Sequence, residues 1–259
     1  ASFIAAAILE RQDWKKQSIE VDLLLEFAMS YKRDDHVLWT ENGSSQFFMP
    51  GQLLLAIAYA YEATQDERYK TFFDKVFDTY APALQQLMHL GPKTVAPYAP
   101  AWFTQPATRM YMLTGEHKYR DLVYAINDRV ILNYERNRAY QVYEDYDGML
   151  APKLGSNGNN SITAAALESL VDAAITAKKD GDMERFWTYE KGIRHAVAFL
   201  LRLQFTPDNA YYMEHPERVI GGFKTDMVST VSWMDNVWHL TSAFMKIQEA
   251  AIFQDKMAE

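Results

Sequence analysis

Asp235 and His239 stand four residues apart in Trp233-Met234-Asp235-Asn236-Val237-Trp238-His239. On a helix that spacing puts a carboxylate and an imidazole on one face, where they serve as a proton-transfer pair or as a plain ion pair in a first turn. The stretch leading to them carries Tyr211, Tyr212, Glu214, His215, Arg218, Gly221, Gly222, Phe223, Lys224 and Asp226. Flat aromatic faces suit pyranose rings, and Arg218 and Lys224 suit negative groups. Two adjacent glycines allow a backbone conformation or a close approach that a Cβ would block. A second cluster is Tyr143-Glu144-Asp145-Tyr146-Asp147-Gly148. Glycoside hydrolysis needs two carboxyls, one protonated and one ionised. Asp147 and Asp235, each in or just after a long loop, are the pair expected to supply them, and the plain alternative for the first is a solvated acidic turn.

Other residues extend these clusters. Trp39, Glu41 and Asn42 precede one apolar helix, and Trp102 and Gln105 lie early in the next. Glu168 and Asp172 fall on a very apolar helix, where a carboxylate either lines a cavity or pairs with a neighbour, because burial without a partner is costly. His89, His117 and His195 read as residues of turns or of the more charged helices. The candidate catalytic groups are therefore Asp147, Asp235 and His239, and the candidate ligand-binding groups are Trp39, Trp102, Tyr212, Arg218 and Trp238.

Several chemistries are disfavoured. The chain has no Cys and no His-Glu-x-x-His pair, so no zinc site is expected. It has neither common type of phosphate-binding glycine loop and no Gly-x-Ser-x-Gly elbow. The acidic loop lacks the terminal Glu of a calcium-binding EF-hand loop. No metal or other cofactor is called for. The net charge of −8 argues against a nucleic-acid footprint, which would want a basic stripe. No apolar run approaches the length of a membrane span. The first residue, Ala1, is not an initiator Met, as expected of a processed or trimmed product. A removed signal peptide, and with it a periplasmic or secreted location, would account for that.

The elements that must position these residues are helices. Thr64-Gln65-Asp66-Glu67-Arg68-Tyr69 recurs as Thr114-Gly115-Glu116-His117-Lys118-Tyr119, and more loosely as Asp180-Gly181-Asp182-Met183-Glu184-Arg185-Phe186. In the same register Tyr61 matches Tyr111 and Asp78 matches Asp128. Each copy is a tight turn between an Ala- and Tyr-rich apolar helix and a more charged one, the pattern of a helical repeat. Apolar helices are expected at 50–63, 97–113, 161–177 and 232–248, and charged partners at 67–90, 118–134 and 184–203. An earlier amphipathic helix spans Lys16 to Arg33, with Ile19, Leu23, Leu24, Phe27 and Tyr31 as its apolar face. Short ribbons are conceivable only at 140–143 or 211–213. The longer connections, 34–49, 136–160 and 204–228, precede apolar helices, while the turns leaving those helices are tight. Antiparallel hairpins would then put the long loops on one face, with apolar helices inside and charged ones outside. That is an all-α single domain over 1–259, an α/α toroid.

The chain here resembles the six-hairpin glycosidase-like toroids, a broad superfamily of glycoside hydrolases, polysaccharide lyases and sugar epimerases. The resemblance rests on Leu-Thr-Gly-Glu-x-x-Tyr at 113–119, its copy at 64–69, and Gly221-Gly222-Phe223 ahead of a Trp-rich helix. A full six-hairpin ring needs more residues than 259, so it implies a ring with hairpins missing or shortened. It implies a site at the mouth of the ring, on the long-loop face. The ligand would be a glycan or another polyhydroxylated or anionic molecule, processed by carboxylate and histidine acid–base chemistry. The alternative is a non-catalytic helical-repeat module that binds a peptide or glycan in its concave mouth.

Overall fold

A computed structural model describes residues 1–11, 13–32, 48–89, 99–139, 143–150 and 160–253. Among the described residues the chain is all-helical. The helices are α1 (Ser2–Leu9), α2 (Ser18–Met29), α3 (Phe48–Thr64), α4 (Glu67–His89), α5 (Ala99–Thr114), α6 (His117–Ala139), α7 (Asn160–Asp180), α8 (Met183–Arg202), α9 (Pro207–Ala210), α10 (Pro216–Val219) and α11 (Met234–Glu249). Short 3₁₀ turns cover Trp14–Gln17 and Glu144–Tyr146. No described residue belongs to a strand, and Tyr211–Met213 lies in a turn; the one extended pairing is an isolated antiparallel bridge between Gln204 and Phe223. No described helix is long and apolar enough to cross a membrane. Two compact units divide the chain, Ala1–Ile126 and Asn127–Glu259.

The first two repeated turns share their threonine hydrogen bonds. Thr64 and Thr114 each turn the hydroxyl back to the carbonyl four residues earlier, at 2.6 and 2.8 Å, and each accepts the amide two residues on, at 3.2 Å. The next residue adopts a left-handed conformation: Gln65 at φ 56°, Gly115 at 72° and, in the third copy, Gly181 at 77°. Left-handed closure lets a helix end by satisfying its last carbonyls. Gln65 lacks glycine's freedom and offsets the strain by donating its side-chain amide to the carbonyls of Tyr61 and Glu62, both at 3.1 Å. Asp66 and Asp182 then cap the following helices, accepting the amides of Arg68 and Arg185 at 2.9 and 3.1 Å.

In the first unit, α3 packs against α1, α4 and α5. It is buried on nearly every side, from Leu53 through Ala58 without a break. Gly51 makes its contact with α5 possible, since a Cβ there would lie 2.6 Å from that of Trp102. In the second unit α7 holds the same central place between α8 and α11, with Thr163 to Ala174 almost wholly buried. A helix apolar all round has to be a buried one.

The charged helices are joined by a recurring tyrosine–aspartate bond. Tyr69 of α4 donates to Asp22 of α2 at 3.1 Å, Tyr119 of α6 donates to Asp74 of α4, and Tyr189 of α8 donates to Asp128 of α6 at 2.5 Å. These phenols are nearly fully buried. Lys70 and Lys118 add ion pairs to Asp74 at 2.8 and 2.7 Å, and Arg185 adds one to Asp128 at 3.2 Å. Tyr69 and Tyr119 therefore link successive hairpins, whereas Tyr61 bonds locally to Glu67.

Two expectations need correction. Of the expected apolar face, Ile19, Leu23 and Phe27 of α2 and Tyr31 just beyond it are exposed and Leu24 is half-buried, while the buried face is Val21, Leu25 and Ala28. The helix carries apolar residues on two faces, and the four-residue spacing picked out the one that is exposed among the described residues. Helix α6 also continues to Ala139, five residues past Tyr134, so part of the supposed 136–160 loop is helical. Of the other two long connections, 34–47 lies outside the described residues and 204–228 lies within them.

Candidate functional site

Helix α11 brings Asp235 and His239 onto one face, as their spacing requires, with His239 Nε2 3.6 Å from Asp235 Oδ1. The opposite ring nitrogen, Nδ1, lies 2.8 Å from Glu168 Oε2 on α7. Glu168 also accepts the Ser242 hydroxyl, and Lys246 Nζ sits 3.6 Å from Glu168 Oε1 and 2.8 Å from Asp172 Oδ2. The result is a polar ladder between α7 and α11. Its inner end is buried, with Glu168 and His239 each 1 % exposed, and its outer end is open, with Asp235 54 % exposed. Burial alone would raise the Glu168 carboxyl; the Lys246 charge and the bonds from His239 and Ser242 outweigh it and hold the group below the usual range. Of the two sequence readings for Glu168 and Asp172, pairing with a neighbour is the one observed.

Asp235 lies in the first turn of α11, where a negative charge is favoured by the helix dipole. Exposed aromatics surround it in sequence: Trp233, then Trp238, whose ring centroid lies 4.7 Å from that of His239. The preceding connection closes on itself. Phe205 accepts from the Gly221 amide and donates to the Gly222 carbonyl, both at 2.8 Å, and Lys224 donates to Leu203 at 2.9 Å. Gly221 takes φ 91° to make this closure, and a Cβ on Gly222 would lie 3.1 Å from the Val219 carbonyl oxygen. The loop tip holds Tyr212 and Arg218, both exposed, with Tyr211 edge-on to Tyr212.

Asp147 belongs to a different cluster. Its Oδ2 lies 3.0 Å from His195 Nδ1 on α8. Tyr134 donates to Oδ1 at 3.4 Å, and Arg138 Nε lies 3.4 Å from the same oxygen. Arg202 donates to the backbone carbonyl of Asp147 at 2.9 Å. Gly148, at φ 97°, lets this segment lie on α8, since a Cβ there would fall 1.9 Å from the His195 carbonyl. Asp147 and Asp235 thus have different partners, and no bond among the described residues joins them. His195, read from sequence as a residue of a charged helix, is the partner that was missed. The two are 48 positions apart, so no local spacing could have paired them.

The remaining candidates are dispersed. Trp102 is 1 % exposed, edge-on to Phe48 and tilted against Phe3 at centroid distances of 5.2 and 5.5 Å, so its faces pack against protein. Trp39 lies outside the described residues. A depression of about 460 Å³ lies in the first unit, lined by Lys32, Glu67, Arg68 and Phe72 among others, and contains none of the predicted residues. Among the described residues, no three His, Asp or Glu side chains are grouped to hold a metal ion. Comparison with known protein families, curated proteins and solved structures gives no match.

Proposed function

We propose that this chain receives a glycan on the surface built by residues 204–239 and acts on it by acid–base chemistry centred on Asp235, as a hydrolase, lyase or epimerase would. The observation that carries this reading is the polar ladder at α11: a solvent-exposed carboxylate backed by a buried imidazole and a second, buried carboxylate. Trp233, Trp238 and Tyr212, all exposed, offer ring faces of the kind that stack on sugars, and Arg218 offers a partner for a uronate carboxylate. On the same reading α3 and α7, buried on nearly every side, are inner helices of an α/α toroid. The helices α4, α6 and α8, linked by tyrosine–aspartate bonds, form its outer layer.

A second reading is favoured by one observation. The two carboxylates that glycoside hydrolysis would need have different partners, Asp147 facing His195 and Asp235 facing His239. A non-catalytic module that binds a glycan or peptide over Trp238 needs only one of them.

One experiment separates the readings. A panel of neutral and uronate-containing oligosaccharides is incubated with the wild type and with Asp235→Asn, following both product formation and calorimetric binding. An enzyme turns over at least one substrate, and Asp235→Asn abolishes turnover while the chain stays folded, because the change is nearly isosteric and removes only the ionisable group. A binding module shows affinity without turnover, weakened more by Trp238→Ala than by Asp235→Asn. Neither turnover nor binding anywhere in the panel removes the glycan reading.

A further inference from the structure

The depression of about 460 Å³ in the first unit is lined from α2 by Met29 and, just past that helix, by Lys32, and from α4 by residues of its first turns. Its volume falls within the range of small-molecule sites. On α4, Arg68, Thr71, Phe72 and Lys75 recur at three- and four-residue steps and so share one face. Phe72 is buried and Met29 half-buried, which gives the lining an apolar part. The charges around it are unevenly satisfied. Lys70 of the same helix closes on Asp74 and Glu116 at 2.8 and 2.7 Å, and Arg68 closes on Asp66 at 2.8 Å. Lys32 and Lys75 behave differently. Neither pairs with a carboxylate among the described residues, and Lys32 Nζ instead sits 5.4 Å from the Phe72 ring centroid. The exposed Thr71 hydroxyl also makes no hydrogen bond there. Three basic side chains, Lys32, Arg68 and Lys75, against the acidic Asp66 and Glu67 leave a single positive charge in excess, on a chain whose net charge is −8.

We infer that this depression binds a small organic carboxylate carried on an aromatic or aliphatic body. Lys32 and Lys75, two ammoniums without a counter-charge, supply charge-assisted hydrogen bonds to the carboxylate, and Thr71 adds a neutral donor. The body lies against the Met29 and Phe72 side chains that line the depression. One excess positive charge matches a monoanion. A phosphate monoester carries close to two negative charges at neutral pH, and Glu67 opposes the second. The site shares no residue with the surface at α11 and stands independently of the glycan reading.

The test is titration of the full chain, labelled at backbone nitrogen, with naphthoate, followed by its amide shifts. Naphthamide keeps the body without the charge, acetate keeps the charge without the body, and naphthyl phosphate adds the second charge. Naphthoate is expected to bind saturably, with the largest shifts at 29–32 and 67–75. Naphthamide and acetate are each expected to bind about tenfold more weakly or worse, the loss of one charge-assisted bond or of the apolar contact. Lys32→Gln and Lys75→Gln should each weaken naphthoate by about tenfold. Both side chains are exposed, so the substitutions leave the fold in place. Lys191→Gln, which removes an exposed lysine of α8, should leave the affinity unchanged. Absence of saturable naphthoate binding overturns the inference, as does unchanged affinity in the chain carrying both Lys32→Gln and Lys75→Gln, or shifts centred on other residues. Naphthamide binding as tightly as naphthoate removes the carboxylate, acetate binding as tightly removes the apolar body, and tighter binding of naphthyl phosphate removes the monoanion; each of these overturns the ligand class.

Discussion

Tyr69, Tyr119 and Tyr189 each donate a buried hydroxyl to an aspartate of the preceding charged helix, and the strength of that bond sets what single changes do. Tyr119 packs edge-on against Phe73 and Phe77 at centroid distances of 5.5 and 5.0 Å. Tyr119→Ala is expected to cost about 3–5 kcal/mol, as for other large buried aromatics. Tyr119→Phe keeps the ring and should cost about 1–2 kcal/mol, because Asp74 retains its two lysines. Denaturant unfolding of both variants checks the ratio. The same bonds predict a pH window. Burial and the Asp22 carboxylate push the Tyr69 phenol from 10.0 up to about 12. A group whose folded pKa is raised contributes stability that is complete below its unfolded value and disappears as pH rises toward the folded one. Thermal stability should therefore fall between pH 10 and about 12, and Tyr69→Phe should flatten that limb. Asp74 moves the other way: burial would raise it, but bonds from Lys118, Lys70 and Tyr119 win and lower it from 3.8. Its contribution is present above that value and fades as pH falls through the folded pKa, so an acid limb is expected too.

At the scale of an element, α2 and the segment from 143 to 150 make opposite demands. Leu25 is fully buried and Leu23 is exposed on the other face of the same helix. Leu25→Ala should cost about 2–5 kcal/mol, while Leu23→Ala should stay within about 0.5 kcal/mol. A larger loss for Leu23→Ala than for Leu25→Ala would show that the two faces have been exchanged. In the acidic segment Gly148 combines a left-handed backbone with contact against the His195 carbonyl. Gly148→Ala should destabilise more than Gly115→Ala, which meets only the backbone strain of about 1–2 kcal/mol, since nothing lies within 4 Å of a Cβ there. The same change should release Asp147 from His195, visible as a shift of the His195 ring resonances that Gly115→Ala does not produce.

For the molecule as a whole, charge makes the firmest prediction. With 34 acidic against 26 basic side chains, and with Lys70, Lys118 and Arg185 already paired with carboxylates, the net charge is expected to repel a phosphate backbone. A duplex DNA mobility shift at low salt should show no complex. Retention there would require a basic surface that the net charge conceals.

The positions of α3 to α8 and α11 and the repeated turns were legible in the sequence because they depend on neighbours in the chain, whereas α1, α9 and α10 were not legible. Thr64 and Thr114 bond within four residues, Gly115 and Gly181 close their own helices, and Asp235 meets His239 through helical spacing alone. Partners 45 to 71 positions away were not legible: Asp74 for Tyr119, Asp147 for His195 and Glu168 for His239. Periodicity reports that a residue has an apolar or charged face, but not which helix that face meets. The row on α2 marks the limit, since both of its faces carry apolar residues and only packing decides which is covered. Of the two sequence readings for the glycines at 221 and 222, a backbone conformation or a close approach, tertiary structure shows the first at Gly221, whose amide donates to the Phe205 carbonyl.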